Sequence, residues 1–385
     1  MVRATPHDWA RGDWGAVAAR WAARAEAAER AVVNRHLRRL WGLPGVRLGQ
    51  VRWPACLLDR LYLRWNYWWQ AHLLDCLVDG QLRSPSRRRA SLVRCLVRGI
   101  RVRNFGRWTN RYYDDAAWLG LALHRAATHL GLRRPRALAA IVERLHSGWT
   151  EHGGGGIWWR RRDDFKNVPA NGPAAILLAR LGDVKRAAEL VRWIDRHLRD
   201  PETGLVWDGL RVDADGAVRR VEQNVYTYCQ GVLLGACVEL AQHADSETQG
   251  TGEKPGDGWV DMASRVIDAV ARHLVDESGV LRGHGGGDGG LFTGILVRYL
   301  ADAALRLPPE AGEAADTAAG LVLTAAEAAW GNRAAAEWGP VFGPDWSEPA
   351  AVPARKLTER DLSVQLGGWM TLEAAARLTA GRADV

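Results

Sequence analysis

The 385-residue sequence contains no apolar run near the about eighteen residues that a membrane span needs, and Met1 to Trp14 carries charges where a leader would have an apolar core. A cytoplasmic protein is expected, or a secreted one if a leader has been removed. Cysteine is sparse: Cys56, Cys76, Cys95, Cys229 and Cys237 are odd in number and form no C-x-x-C pair, which argues against a disulfide framework or a thiolate metal site. They read as buried free thiols. Alternating runs of Val, Ile and Thr are scarce, so extended sheet is disfavoured, and no short-period repeat is visible. Despite a net charge of +8, no RNA- or DNA-binding motif is present, and no nucleic-acid partner is expected.

What is abundant is helix-forming Ala, Leu and Arg, together with tryptophan. Twenty tryptophans against four phenylalanines and seven tyrosines point to flat indole platforms as well as core packing, and sugars stack on such faces. Helical patterns fall near 14–42, 55–80, 85–102, 115–131, 134–149, 171–181, 183–199, 223–243, 257–275, 289–306, 311–330 and 359–379. Twelve antiparallel helices in hairpin order can close into a double ring, the (α/α)6 barrel: one all-α domain over 1–385. Its inner helices should be the blander, Gly/Ala-rich ones such as Gly231 to Leu240.

Connections alternate between short ones, such as Gly131 to Arg134 and Gly182 to Asp183, and long ones near 150–170, 200–222, 276–288 and 331–357. The long loops concentrate Gly and Trp and should carry the site on one rim. A small β-hairpin is expected within Gly204 to Val218, and 244–258 reads as a mobile surface insertion. The positive charge is mostly arginine, densest from Arg83 to Arg107 with Arg87, Arg88, Arg89, Arg94, Arg101 and Arg103. That stretch could meet phosphate or rest weakly on an anionic membrane surface; a solvated helix face is the preferred reading.

Tyr112-Tyr113-Asp114-Asp115-Ala116-Ala117-Trp118 opens a strongly helical stretch. Adjacent carboxylates at a helix entrance can be an N-cap and its dipole-favoured neighbour. On the local sequence alone that is the preferred reading; they can instead face one pocket, and glycoside hydrolysis suits that arrangement. Retaining enzymes use two carboxyl groups about 5–5.5 Å apart, one attacking and one protonating, and like charges so close raise one pKa. Gly153-Gly154-Gly155-Gly156-Ile157-Trp158-Trp159 allows close backbone approach beside two indoles, with Lys166, Asn167 and Asn171 available to donate to hydroxyls. Tyr228 and Gln230 open another helix, Asp288 precedes Phe292 and Arg298, and Phe342 to Trp346 precedes Ser363, Gln365 and Gly368.

Together these pieces resemble glycoside hydrolase family 76, the bacterial endo-α-1,6-mannanases and their fungal cell-wall relatives. The similarity rests on Tyr-Asp-Asp-x-Ala-Trp at 113–118, Gly-Gly-Ile-Trp-Trp at 155–159 with Lys166-Asn167, Tyr-x-Gln-Gly at 228–231, Phe-x-Gly-Ile-x-Val-Arg at 292–298 and the segment from Gln365 to Gly368. The resemblance implies an (α/α)6 barrel, a retaining mechanism without metal or cofactor, Asp114 as nucleophile and Asp115 as acid/base. It further implies a sugar site built from Tyr113, Trp158, Trp159, Asn167, Tyr228, Gln230, Asp288 and Phe292. Thr293 stands where the family often has Lys and Cys229 where Asn is usual, which bears on substrate length and linkage.

The leading expectation is therefore a monomeric, endo-acting retaining hydrolase of α-1,6-linked mannan. A transglycosylase would share its first step, and a non-catalytic mannan-binding protein would keep the barrel without the reaction. A sugar epimerase is disfavoured because no matched pair stands out among the histidines.

Overall fold

The Ala/Leu/Arg stretches, punctuated by Gly and Pro, fold into thirteen helices in the computed structural model, which describes residues 14–244 and 257–383. In order they are α1 (Trp14–His36), the single turn α2 (Leu57–Arg60), α3 (Tyr67–Arg83), α4 (Arg87–Arg103), α5 (Tyr113–Leu130), α6 (Pro135–Ser147), α7 (Val168–Arg180) and α8 (Val184–Leu198). Then come α9 (Thr227–Ala244), α10 (Asp257–His273), α11 (Gly289–Arg306), α12 (Gly312–Gly331) and α13 (Leu362–Ala383). Helix ends carry the chemistry that specifies them: Ser86, Asn167 and Asp183 accept the N–H three residues on, and left-handed Gly131 closes α5.

Helices α3, α5, α7, α9, α11 and α13 pack each against the next, and α13 returns to α3, which closes a ring. Outside it lie α1, α4, α6, α8, α10 and α12, each against an inner neighbour. This is the expected (α/α)6 barrel. Inner helices are buried nearly all round; in α7 every residue from Val168 to Ala179 is buried. Outer helices bury one stripe, such as Leu190, Val191, Trp193, Ile194 and Leu198 of α8. Each buried Leu or Ile is worth about 1.5–3 kcal/mol relative to exposure. Glycines set the inner ring's spacing. A Cβ on Gly231 would lie 2.8 Å from the Leu296 Cα, and one on Gly294 would lie 2.8 Å from the Gly367 Cα.

Since inner and outer helices alternate, all six inner helices run the same way and their N-termini share one rim. Every outer-to-inner connection lands there, and these are the long loops. Three small antiparallel sheets decorate them: β1 (Leu37–Arg39) with β2 (Arg47–Gly49), then β3 (Phe165–Asn167), β4 (Gly209–Val212) and β5 (Val218–Glu222) in that order, and β6 (Ala334–Ala336) with β7 (Gly339–Val341). The expected hairpin is β4–β5, displaced so that β5 begins at Val218, where the expected segment ended, and joined by β3.

The first two helix boundaries differ from the sequence reading. α1 stops at His36 rather than 42, because Leu37–Arg39 extend into β1 to pair with β2, the chain reversing through Trp41 and Gly42 at positive φ of 48° and 75°. The second long helix begins at Tyr67 rather than 55. The leucines at 57, 58, 61 and 63 mimic a buried face, yet they are exposed. Part of the arginine-rich stretch is not simply solvated either: Arg89 pairs with Glu29 and Glu26, and Arg83 bridges Glu29 and Glu373. All five cysteines are free, four of them buried and Cys56 exposed. Of the segment 244–258, residues 245–256 lie outside the described residues. Among the described residues, no helix is long and apolar enough to cross a membrane.

Candidate active site

Over the N-terminal ends of the inner helices opens a cavity of about 1090 Å3. Asp114 and Asp115, both in the first turn of α5, line it. The capping position belongs to Tyr112, which makes no side-chain cap, so neither aspartate is an N-cap. Instead, the Asp115 N–H donates to Asp114 Oδ1 at 2.9 Å, and Trp159 Nε1 donates to Asp114 Oδ2 at 3.0 Å. Asp115 Oδ2 accepts from Asn110 Nδ2, and the Trp68 backbone N–H also favours its anion. Asn110 is itself oriented by the Tyr112 N–H, which reaches its Oδ1 at 2.8 Å.

Burial dominates the electrostatics. Asp114 is held well above the ordinary carboxylate range by desolvation and by the charge of Asp115, with the donated hydrogen bonds opposing. Asp115 is pushed up to about 7 by desolvation, the Asn110 amide opposing and the Asp288 carboxylate adding. Two buried carboxylates this strongly linked do not both ionise near neutral pH, so the pair keeps one proton.

Around the pair stand indoles and phenols. Trp68 and Trp69 both donate Nε1 to Asp288 Oδ1, at 3.0 and 2.8 Å. Tyr228 stacks on Phe292 with ring centres 4.0 Å apart, Tyr226 meets Phe292 edge-on, and Trp118 and Trp68 continue the wall. Opposite, Asp208 faces the cavity with its carboxyl pushed up to about 7 by burial and by Glu222. Such a set offers apolar faces for sugar rings, carboxylates for hydroxyls and a proton for transfer.

Of the expected site residues, Asp114, Asp115, Trp159, Asn167, Tyr228, Asp288 and Phe292 come together at this cavity. Tyr113, Trp158 and Gln230 do not. Tyr113 is buried behind α5, with the Arg144 guanidinium over its ring. Trp158 points away and packs on Lys166, since consecutive residues in an extended segment face opposite sides. Gln230 is fully buried and clamps the Val206 N–H and C=O, both at 2.8 Å. The same backbone clamp recurs at Gln70 on Gly49, Asn171 on Ile157 and Gln365 on Phe342. Each ties a rim loop to an inner helix. Nor is Lys166 free to reach a hydroxyl: its Nζ lies 2.6–3.0 Å from five oxygens of Thr150, His152, Gly155 and Gly156. Arg298 is engaged by Asp75 and Asp79 in the barrel interior.

Sequence reasoning missed Trp68, Asn110, Trp118, Asp208 and Tyr226 as cavity residues. The signal for Trp68 was present in Trp65-Asn66-Tyr67-Trp68-Trp69, an aromatic cluster around a helix-start residue. No comparable local cue marks Asp208.

The family model described as glycosyl hydrolase family 76 matches residues 24–366. Among solved structures, an α-1,6-mannanase of Salegentibacter sp. HEL1_6 is similar with 31% identity and a TM-score of 0.78, covering 93% of this chain and 99% of that one. An inactive variant of that mannanase, with two consecutive aspartates replaced by asparagine, is solved in complex with α-1,6-mannotriose. A protein of Listeria innocua matches with 25% identity and a TM-score of 0.76, covering 93% and 97% of the two chains. A family 76 mannosidase of Bacteroides thetaiotaomicron shares the fold at 17% identity and a TM-score of 0.71, covering 93% and 98%. Comparison with curated proteins found no match.

Proposed function

The chain belongs to glycosyl hydrolase family 76 and is a glycosidase, and from that premise we propose that it cleaves α-1,6-mannosidic bonds within mannan chains, with retention of configuration, through Asp114 and Asp115. The observation that carries this reading is the aspartate pair at the start of α5, buried side by side in an indole-walled cavity with Trp159 Nε1 donating to Asp114 and Asn110 Nδ2 to Asp115.

In the first step Asp115 gives its proton to the glycosidic oxygen while Asp114 attacks the anomeric carbon. The C–O bond to the leaving sugar breaks and a glycosyl ester on Asp114 forms. Asp115, now anionic, then takes a proton from water, whose oxygen displaces Asp114 and restores the pair. Placing the proton on Asp115 is supported by the Asp288 carboxylate, which adds to Asp115's elevation, and by a value near neutrality, where a general acid works best. Burial still raises Asp114, but with Asp115 neutral the repulsion that adds to it is gone, and two N–H donors favour the Asp114 anion. Trp159 and the Tyr228–Phe292 stack supply platforms for sugar faces, and Asp288, Asp208 and Asn167 supply polar contacts.

Asp114→Asn and Asp115→Asn, assayed on α-1,6-mannooligosaccharides, test the reading. Loss of either group costs several kcal/mol of barrier, on the order of 10^3-fold or more in kcat. A folded variant with near wild-type turnover removes that aspartate from the mechanism.

A further inference from the structure

Beside the aspartate cavity, and divided from it by Asn110, lies a second cleft of about 620 Å3 whose wall includes Arg107, Thr109, Arg111, Arg144 and Arg161. It adjoins a third, of about 640 Å3, that shares Arg111 and Arg161 and adds Arg162. The loops that bring these arginines together are stitched by backbone bonds, Arg161 N–H to Arg111 C=O at 2.9 Å and a bridge between Tyr112 and Arg160. The clustering therefore belongs to the fold.

Several arginines close by on this rim are neutralised. Arg160 pairs with Asp163, Arg211 with Asp164 and Glu222, and Arg219 with Asp164. Among the described residues, no carboxylate pairs with Arg107, Arg111, Arg144, Arg161 or Arg162. Arg144 is half-buried; its Nε has no hydrogen-bond partner, and its guanidinium reaches only Thr109 Oγ1 at 3.4 Å besides the Tyr113 ring. Arginines gathered along one cleft wall without a carboxylate partner leave positive charge uncompensated, and a bound anion with several acceptor oxygens offsets it through charge-assisted bonds.

We propose that this cleft is an anion subsite that takes a phosphate ester carried by the glycan, so that phosphate-bearing mannans are substrates whose charged end sits beyond Asn110 while a mannosidic bond lies at Asp114 and Asp115. The proposal rests on the glycosidase reading only for the identity of the carrier. Its test reads binding without turnover, so the two conclusions fail separately. Two sources share the chemistry, a soluble sugar phosphate and a phospholipid-linked glycan; Phe105, 82% exposed beside Gly106 at the cleft, would meet acyl chains in the second case.

The experiment is calorimetric titration of the full chain with inorganic phosphate and mannose 6-phosphate, alongside flotation with vesicles of phosphatidylcholine alone or mixed with phosphatidylinositol. Saturable binding of a phosphate probe is expected for the wild type, with unphosphorylated mannose failing to compete. Arg111→Gln/Arg161→Gln, both side chains exposed, should weaken it about tenfold or more for each charge-assisted hydrogen bond removed, while the circular dichroism spectrum stays unchanged. Arg111→Lys/Arg161→Lys should recover part of the affinity. Binding of mannose 6-phosphate assigns a soluble source, and flotation only with phosphatidylinositol assigns a lipid one. If the wild type binds none of these probes, or the double glutamine variant binds as tightly, the subsite does not exist.

Discussion

Trp159 Nε1 donates to Asp114 Oδ2 at 3.0 Å, while the Trp159 carbonyl accepts the Tyr113 N–H at 2.9 Å. One residue thus holds both a carboxylate and the first turn of the helix that bears it. Trp159→Phe keeps an aromatic face but removes the donor that favours ionised Asp114. A hydrogen bond to a charged group is worth about 1.5–3 kcal/mol, so kcat should fall about ten- to a hundredfold. The acid limb of the pH–rate profile should move to higher pH, because the carboxylate becomes harder to ionise. An unmoved limb would show that the indole does not act on Asp114.

The pair's shared proton predicts a bell-shaped dependence of kcat/KM on pH, with apparent values that belong to the pair. Burial and like charge raise both groups, so the acid limb should lie above the ordinary carboxylate range. The first proton leaves the pair near 7 and the second well above it, so the acid limb should fall near 7 and the alkaline limb well above it. Initial rates on an α-1,6-mannooligosaccharide from pH 4 to 9 check this.

Asp115→Asn should separate stability from activity. Since Asp115's folded pKa of about 7 lies above its ordinary 3.8, its contribution favours the fold below about 4 and is lost as pH rises toward 7. Replacing it with a neutral isostere that can still accept from Asn110 removes that loss. The variant should melt higher than wild type at pH 7.5 and no higher at pH 4, with turnover abolished. Thermal denaturation at the two pH values decides it.

The barrel was legible because amphipathic periodicity and Gly/Pro breaks repeat along most of the chain, and the inner helices are the bland ones, as α9 illustrates. That legibility breaks off between residues 37 and 66, where exposed leucines at 57, 58, 61 and 63 imitate the spacing of a buried helical face. The aspartate pair was legible because both residues are neighbours at one helix start. Asp208, Asn110 and Trp68 were not, because they reach the cavity from three different elements: the loop before β4, the loop before α5 and the first turn of α3. Gln230 and Asn171 misled for a physical reason: a polar side chain at the start of an inner helix suits a sugar hydroxyl and a loop amide equally well, and here the loop takes it. Of Trp158 and Trp159, an extended backbone allows only one to face the cavity.

Lys166 is the donor that holds the glycine loop together. Its removal in Lys166→Met leaves the buried Gly155 carbonyl without its donor and takes one donor from Gly156 and His152, at about 1–3 kcal/mol for a buried group left unsatisfied. The melting temperature should drop by several degrees, and kcat should fall with it, since the same loop carries Trp159. An unchanged melting curve would contradict this role.

The division of labour between Asp114 and Asp115 is tested most directly by azide rescue of Asp114→Ala and Asp115→Ala, using an α-1,6-mannobioside with an activated aryl leaving group. With Asp114 gone, azide enters from the face it vacates and the product is the inverted β-mannosyl azide. With Asp115 gone, the ester on Asp114 still forms and azide opens it to the retained α-mannosyl azide. The opposite pairing of product and variant, or full turnover by either variant without azide, would contradict the assignment.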